Sequence, residues 1–125
     1  MVNGEIIAGL EPAEDSIAAI DWITRVGAIP TVCVFRPLAG TDYRHLPPPS
    51  VDEVVPVFRR LYEACMERSL PIGCAPNVHV SLVLLPEECA SLSPRRFRLG
   101  RMKLQLMKQA FALQFAVRTR LHRTH

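Results

Sequence analysis

The chain has 125 residues, of which 49% are hydrophobic and 22% charged, and it carries a net charge of +3. This composition is that of a folded domain and excludes a disordered chain, while the length allows one modest core. The sequence has no run of about 18 apolar residues that could span a membrane, and its start lacks the pattern of a secretory signal, so we expect a cytoplasmic protein.

The first predicted unit is a β-α-β crossover. An apolar run over residues 5–10 stops at Glu11, and the helix that follows is ended by Gly27. The second strand, residues 29–35, is apolar almost throughout, which is typical of a parallel strand covered on both faces. Since the carboxyl ends of parallel strands meet at one edge of a sheet, Glu11 and Arg36 are predicted to lie at the same rim.

A loop and a capped helix are predicted next. The loop covers residues 36–50 and contains three consecutive prolines, as a stiff and exposed segment does. Ser50 and Glu53 match a capping box, and apolar residues continue at helical spacing to about Ser69. Pro56 removes one backbone donor inside this helix, so a later start or a kink is predicted there.

The last part of the chain is predicted to hold a strand and a long basic helix. The strand covers residues 77–85 and ends at Pro86, and the helix begins at Ser93 with a broad apolar stripe. Residues 95–125 carry a charge of +9 and the preceding residues carry −6. We expect the helix to pack on the domain with its basic face in water. It lacks the interleaved aromatic and basic residues that stack on bases, so nucleic acid is not an expected partner, and peripheral membrane contact is the alternative.

The spacing of the cysteines does not indicate a metal site. Cys33, Cys65, Cys74 and Cys89 show no Cys-x-x-Cys spacing and no paired His pattern accompanies them. We therefore expect free thiols in a reducing compartment, with no disulfide framework and no metal site on this chain.

Two short segments of the crossover carry a family resemblance. They are residues 7–11 (IAGLE) and residues 29–36 (IPTVCVFR), followed by Gly40 and Thr41. The pattern resembles the second half of the barrel in biotin-synthase-like radical S-adenosylmethionine (radical SAM) enzymes. In that family a similar strand packs beside the adenine of S-adenosylmethionine, and the next strand leads into a Gly-Thr-Pro loop at the active-site mouth.

The resemblance implies an α/β fold built as part of a barrel. A complete (β/α)8 barrel needs about 250 residues, so this chain would form a half barrel, β-α-β-α-β, followed by a long C-terminal helix. The half barrel would occupy residues 1–92 and the basic amphipathic helix residues 93–125. The family also binds a 4Fe-4S cluster through a Cys-x-x-x-Cys-x-x-Cys loop, and this chain has no such triplet.

The implied function is that of an enzyme fragment. The chain would contribute the adenine-side wall of the S-adenosylmethionine site and part of the substrate mouth, and would not be catalytic alone. In the complete family enzyme the cluster cleaves S-adenosylmethionine to a 5′-deoxyadenosyl radical, which abstracts a hydrogen atom. The implied partner is a cluster-bearing N-terminal half, and a further copy of this chain is the alternative.

The resemblance places Ile7, Gly9, Glu11 and Arg36 at the S-adenosylmethionine site. Glu11 could accept hydrogen bonds from a ligand, although a carboxylate at a helix start is also a favourable cap. Gly9 could let a ring approach the backbone, or allow the helix to pack closely on the strand. Arg36 could bind a ligand carboxylate through its planar fork, or form an ion pair at the rim.

Two other hypotheses remain open from the sequence. One is a non-enzymatic interaction module that docks on a partner chain through an open sheet edge and the basic helix, because an uncovered parallel strand invites pairing. The other is a truncated gene product with no function of its own. The departure from the family's Gly-Thr-Pro loop, which reads Gly40-Thr41-Asp42 here, leaves the substrate undetermined.

Overall fold

A computed structural model of the chain describes residues 2–73 and 83–97, and six helical residues between 102 and 110. This part of the chain is α/β, with a two-stranded parallel sheet and three helices of defined extent. The elements in chain order are β1 (Asn3–Ala8), α1 (Ala13–Arg25), β2 (Ile29–Val34), α2 (Val51–Glu67) and α3 (Pro86–Leu92).

The predicted β-α-β crossover is confirmed. β1 and β2 pair in parallel, with Ala8 opposite Val34 as the last pair, and the Phe35 N–H donates to the Ala8 carbonyl at 2.8 Å. Pro12 caps the start of α1, and Gly27 follows its end with a φ of +78°, a left-handed conformation that glycine adopts without strain.

The capping box that begins α2 is also confirmed. The Ser50 N–H donates to Glu53 Oε2 at 2.6 Å, and the Glu53 N–H donates back to Ser50 Oγ at 3.4 Å. The helix begins at Val51 and contains Pro56, so the proline does not delay its start. α2 lies against α1, where Arg60 forms an ion pair with Asp21 at 2.7 Å.

The core lies between α1, α2, α3 and the helix-facing side of the sheet. Ala8 and Val32 contribute from the strands, and the largest contribution comes from α2. The α2 residues in this core are Val57, Phe58, Leu61, Tyr62, Ala64, Cys65 and Met66. An apolar α2 stripe thus covers the apolar side of a parallel sheet, as two-layer packing requires.

The prediction that a strand runs up to residue 85 and ends at Pro86 is wrong. The residues from Pro86 onward begin α3 instead of simply ending a strand, because proline suits the first helical position and Glu88 accepts the Leu85 N–H at 2.7 Å. Residues 83–85 form no strand, and the rest of the strand predicted over 77–85 lies outside the described residues. The half barrel that depended on this strand therefore stays a prediction.

The prediction that the final helix begins at Ser93 is also wrong. Ser93 ends α3, and residues 93–97 are not helical. The Ser93 hydroxyl donates to Glu63 at 2.8 Å and accepts the Arg95 N–H at 3.1 Å, so the side chain competes with helical backbone bonds at the point where a helix was predicted to begin. Helical residues return at 102, and the six that are described are all exposed.

Within the described residues, none of the helices combines the length and the apolar character needed to cross a bilayer.

Candidate functional site

The outer edge of β1 is the most distinctive surface of the described residues. The Val2 and Ala8 carbonyls accept hydrogen bonds from Ile29 and Phe35, so the even-numbered backbone groups of β1 point toward β2. Because backbone groups alternate in direction along a strand, those of Glu5 and Ile7 point away from β2. Among the strands of the described part, β1 pairs with β2 alone, and an isolated parallel bridge joins its last residue, Ala8, to Glu11. Within the described residues, the edge is therefore unpaired only before this bridge.

The opposite side of the small sheet is covered differently. The Gly73 N–H donates to the Pro30 carbonyl at 2.9 Å, so the chain runs beside the outer edge of β2. Thr31 is buried there, and its hydroxyl donates to Asn3 Oδ1 at 2.8 Å. The two edges are therefore unequal: within the described residues, a following segment lies beside the edge of β2, and no strand lies beside the edge of β1.

A shallow pocket of about 280 Å³ lies between this edge and α1. Its lining residues are Glu5, Ile6, Ile7, Leu10, Glu11, Ser16 and Ala19. Ser16 is 2% exposed, and its Oγ has no hydrogen-bond partner. A buried hydroxyl without a partner costs free energy, and this oxygen is closed off from the pocket, so Ser16 offers a ligand there no hydrogen bond from its side chain.

The pocket is acidic. Glu5 and Glu11 both line it and both are exposed, and none of its lining residues is basic. The exposed carboxyls of Glu14 and Asp15 follow in the first turn of α1. Burial, and secondarily the negative charge of Glu5, raises the pKa of the Cys33 thiol on the adjacent strand.

An apolar strip on α1 continues from the pocket. Ala19, Trp22 and Val26 lie three and four residues apart, so these three residues share one face of the helix. Ser16 lies one turn before Ala19, on the buried side. Trp22 is 61% exposed and Ile7, across the pocket on β1, is 51% exposed. The open strand edge is therefore flanked by apolar side chains that the described residues leave uncovered.

The structure brings two of the four predicted site residues together. Ile7 and Glu11 line the pocket, whereas Arg36 does not. Arg36 lies beyond the end of β2, exposed and without a hydrogen bond or ion pair among the described residues. Both Glu11 and Arg36 follow the last pair of the sheet, Ala8 and Val34, so they share one rim without touching.

Gly9 lies next to the pocket but under a proline. Its φ is +91°, and a Cβ built on it would overlap the Pro49 side chain. The close approach that the sequence predicted at Gly9 is thus made, within this chain, by the last proline of the 36–50 loop. Gly9 and Pro49 together attach that loop to the rim of the sheet.

Sequence reasoning missed Glu5, Ser16 and Trp22 as parts of this surface. Glu5 lies in an apolar strand, and its position on an open edge depends on strand order. Ser16 belongs to the buried stripe of α1, which also contains Ile20, Ile23 and Thr24, and its helical spacing to Ile20 and Ile23 was a signal for this. Trp22 falls outside that stripe.

The described residues contain no group of three or more His, Cys, Asp or Glu side chains that could hold a metal ion. Cys65 is fully buried in α2, and burial, with the nearby Cys89 as a further cause, raises the pKa of its thiol to about 12. A thiol in that state is a poor nucleophile and a poor ligand.

We expect the thiols to differ strongly in reactivity. With iodoacetamide at pH 8 and native protein, Cys65 should be alkylated at least about a hundredfold more slowly than Cys33, because it is buried and protonated. Peptide mass mapping of the labelled chain measures both rates, and labelling in denaturant, where both thiols react, is the control. Equal native rates would show that α2 does not bury Cys65.

Comparison with protein-family models, curated proteins and solved structures finds no match to this chain.

Proposed function

We propose that this chain is the C-terminal part of a radical SAM enzyme, and that it acts by docking on a cluster-bearing N-terminal half. The observation that carries the proposal is the edge of β1, unpaired within the described residues before the bridge of Ala8 to Glu11, beside the exposed side chains of Trp22 and Val26. In a barrel of alternating strands and helices, the preceding unit places its strand against such an edge and its helix against such a strip.

The proposed site uses the rim formed by the two strand ends. The Ile7 side chain is exposed and can pack against the adenine of S-adenosylmethionine, while the nearby Glu11 carboxylate can accept hydrogen bonds from its hydroxyl or amine groups. Arg36, without an ionic partner of its own among the described residues, can bind a carboxylate from the neighbouring strand end. Gly9 contributes through Pro49, which holds the 36–50 loop beside the site.

The cluster belongs to the partner half in this proposal, where it supplies the reductive cleavage of S-adenosylmethionine. The residues of this chain bind and orient the cofactor and shield its adenine from water. Neither role requires a metal ligand from this chain.

The experiment that tests the proposal is reconstitution. The chain is co-expressed with a cluster-bearing N-terminal half, made from a complete radical SAM enzyme, and 5′-deoxyadenosine is assayed under anaerobic, reducing conditions. Formation of 5′-deoxyadenosine should require both chains. Glu11→Gln should lower it about tenfold, because one charged hydrogen-bond acceptor is lost. Glu87→Gln, the same change at an exposed position of α3, should have little effect.

Docking can be followed separately from turnover. Trp22 is the sole tryptophan in the sequence, so a blue shift of its fluorescence reports burial of the α1 strip. Trp22→Ala should weaken the complex without unfolding the chain, since the ring is exposed in the free protein. A soluble, cluster-loaded complex that makes no 5′-deoxyadenosine would overturn the enzymatic proposal.

The second candidate function is a non-enzymatic interaction module. Met102 and Leu106 are exposed one helical turn apart, with Lys103 and Gln105 exposed between them. This arrangement favours a second contact surface on the basic helix. Docking on a cluster-loaded N-terminal half that yields no 5′-deoxyadenosine, and that weakens when Leu106 is changed to Asp, would favour the module.

A further inference from the structure

We infer that the basic segment of the chain, residues 95–125, binds an anionic membrane surface. Met102 and Leu106 would insert among the acyl chains at that surface, and Lys103 would lie beside the lipid phosphates. The inference is independent of S-adenosylmethionine chemistry, since it concerns a part of the chain that the proposed site does not use.

The charge of the basic segment has one sign. Residues 95–125 carry a charge of +9 and contain no Asp or Glu, whereas residues 1–94 carry −6. A cluster of Lys and Arg attracts a surface of negative charge, and each cation close to an anionic bilayer adds to the affinity. The charge therefore selects an anionic partner for this segment.

The basic segment also exposes an apolar row. Met102 is 61% exposed and Leu106 is 63% exposed, and Ala110 is exposed as well. These three residues are helical, and residues four apart lie one above another on a helix. The described part of the apolar stripe that the sequence predicts therefore does not pack on the domain.

Polar side chains border the apolar row on both sides. By helical spacing Lys103 lies on one side of it and Gln105 and Gln109 lie on the other, and all three are exposed. A helix that lies in the plane of a bilayer surface has this arrangement, with apolar side chains directed at the acyl chains and cations level with the headgroups. A lysine at the edge of the row can reach a phosphate while its methylene groups stay in the apolar layer.

The apolar row argues against nucleic acid as the partner. Proteins bind nucleic acid mainly through its phosphates, so Lys and Arg occupy the contact surface, with aromatic side chains where bases stack. The row instead contains Met102, Leu106 and Ala110, which a phosphate backbone would leave in water.

The acidic body of a second copy is also a less suitable partner than a bilayer. Some of its carboxylates are already bound within the described residues, since Arg60 pairs with Asp21 and Glu67, and Glu63 accepts the Ser93 hydroxyl. An anionic bilayer presents a continuous layer of negative charge directly above an apolar layer. It can therefore accommodate the cation and the apolar row at the same time.

The test uses the full chain and two kinds of vesicle, one of phosphatidylcholine alone and one that also contains phosphatidylserine. Co-sedimentation measures the dissociation constant. Vesicles with about 30% phosphatidylserine should bind the chain at least about tenfold more tightly than phosphatidylcholine vesicles. Raising the salt concentration from about 0.1 M to about 0.5 M should weaken this binding about tenfold, because the charges are screened.

Two variants with matched controls assign the side chains. Leu106→Ser should weaken binding to the anionic vesicles about tenfold, whereas Leu38→Ser, the same change on the exposed 36–50 loop, should alter it less than about twofold. Lys103→Gln should weaken it about fivefold, and Arg44→Gln, which also removes one exposed cation, less than about twofold. Both replaced side chains of the basic segment are exposed in the free chain, so neither variant should change the urea midpoint.

Several outcomes would overturn the inference. Equal binding to the two kinds of vesicle would remove the charge argument, and binding that Leu106→Ser leaves unchanged would show that the row does not insert. Tighter binding to a short DNA or RNA duplex than to anionic vesicles would identify nucleic acid as the partner. A dimer in light scattering without lipid, lost in Leu106→Ser, would identify a second copy.

The reconstitution assay contains no lipid, so the two proposals fail separately. Absence of binding to anionic vesicles alongside restored 5′-deoxyadenosine formation would reject this inference alone. Binding to anionic vesicles by a chain that restores no 5′-deoxyadenosine formation would reject the enzymatic proposal alone.

Discussion

Replacing Phe58 by alanine is expected to lower the free energy of unfolding by about 3–5 kcal/mol. The Phe58 side chain is 1% exposed and is the largest of the fully buried side chains. It lies on α2 in the core that this helix forms with the sheet, so its removal opens a cavity where three elements meet. Small domains are stable by only about 5–15 kcal/mol, so the variant should be partly unfolded in mild urea.

Urea denaturation followed by far-ultraviolet circular dichroism measures this loss. Val51→Ala is the matched control, because Val51 lies on the same helix and is 71% exposed. Its effect should stay within about 0.5 kcal/mol. A loss below about 1 kcal/mol for the Phe58 variant would mean that α2 does not pack on the sheet in solution.

Gly9→Ala is expected to lower the free energy of unfolding by about 2–4 kcal/mol, through two separate causes. The φ of +91° is strained for any residue with a Cβ, at a cost of about 1–2 kcal/mol. The added Cβ would also overlap Pro49, and overpacking of this kind typically costs about 1–3 kcal/mol. The 36–50 loop should separate from the rim of the sheet as a result.

Gly40→Ala separates the two causes. Gly40 has a φ of +86°, close to that of Gly9, and a Cβ on it would meet no atom within 4 Å. Its cost should therefore be the strain alone, about 1–2 kcal/mol. The double variant Gly9→Ala, Pro49→Ala should recover part of the loss at Gly9, since the clash is relieved. Equal effects at the two glycines, with no recovery, would show that Pro49 does not pack on Gly9.

This contact also changes how Gly9 relates to the proposed site. A larger residue at Gly9 disturbs the loop whether or not a cofactor binds, so its effect on turnover would not by itself report adenine contact. Ile7 and Glu11, which line the pocket, are the more specific probes.

Local signals in the sequence were enough for several elements. Ser50 and Glu53 begin α2 because their capping box bonds free backbone N–H groups at the helix start, within four residues of chain. Gly27 ends α1 because a glycine adopts the left-handed φ found there without strain, whatever its neighbours are. The apolar run of β2 predicted a parallel strand, since burial on both faces removes alternation. The shared rim of Glu11 and Arg36 followed from the parallel direction of the two strands, whose carboxyl ends lie at one edge of the sheet.

Other features were decided by neighbours distant in the chain. Pro86 could end a strand or begin a helix by local preference, and α3 forms where Cys89 can be buried against α2. The burial of Ser16, the exposure of Trp22 and the contact of Pro49 with Gly9 depend on which edge of the sheet stays open and how a loop returns to it. Propensity and capping act over a few residues, so the sequence by itself determined β1, α1, β2 and α2. Strand order and loop packing act across the whole domain, so only the tertiary structure decided which side chains form the candidate site.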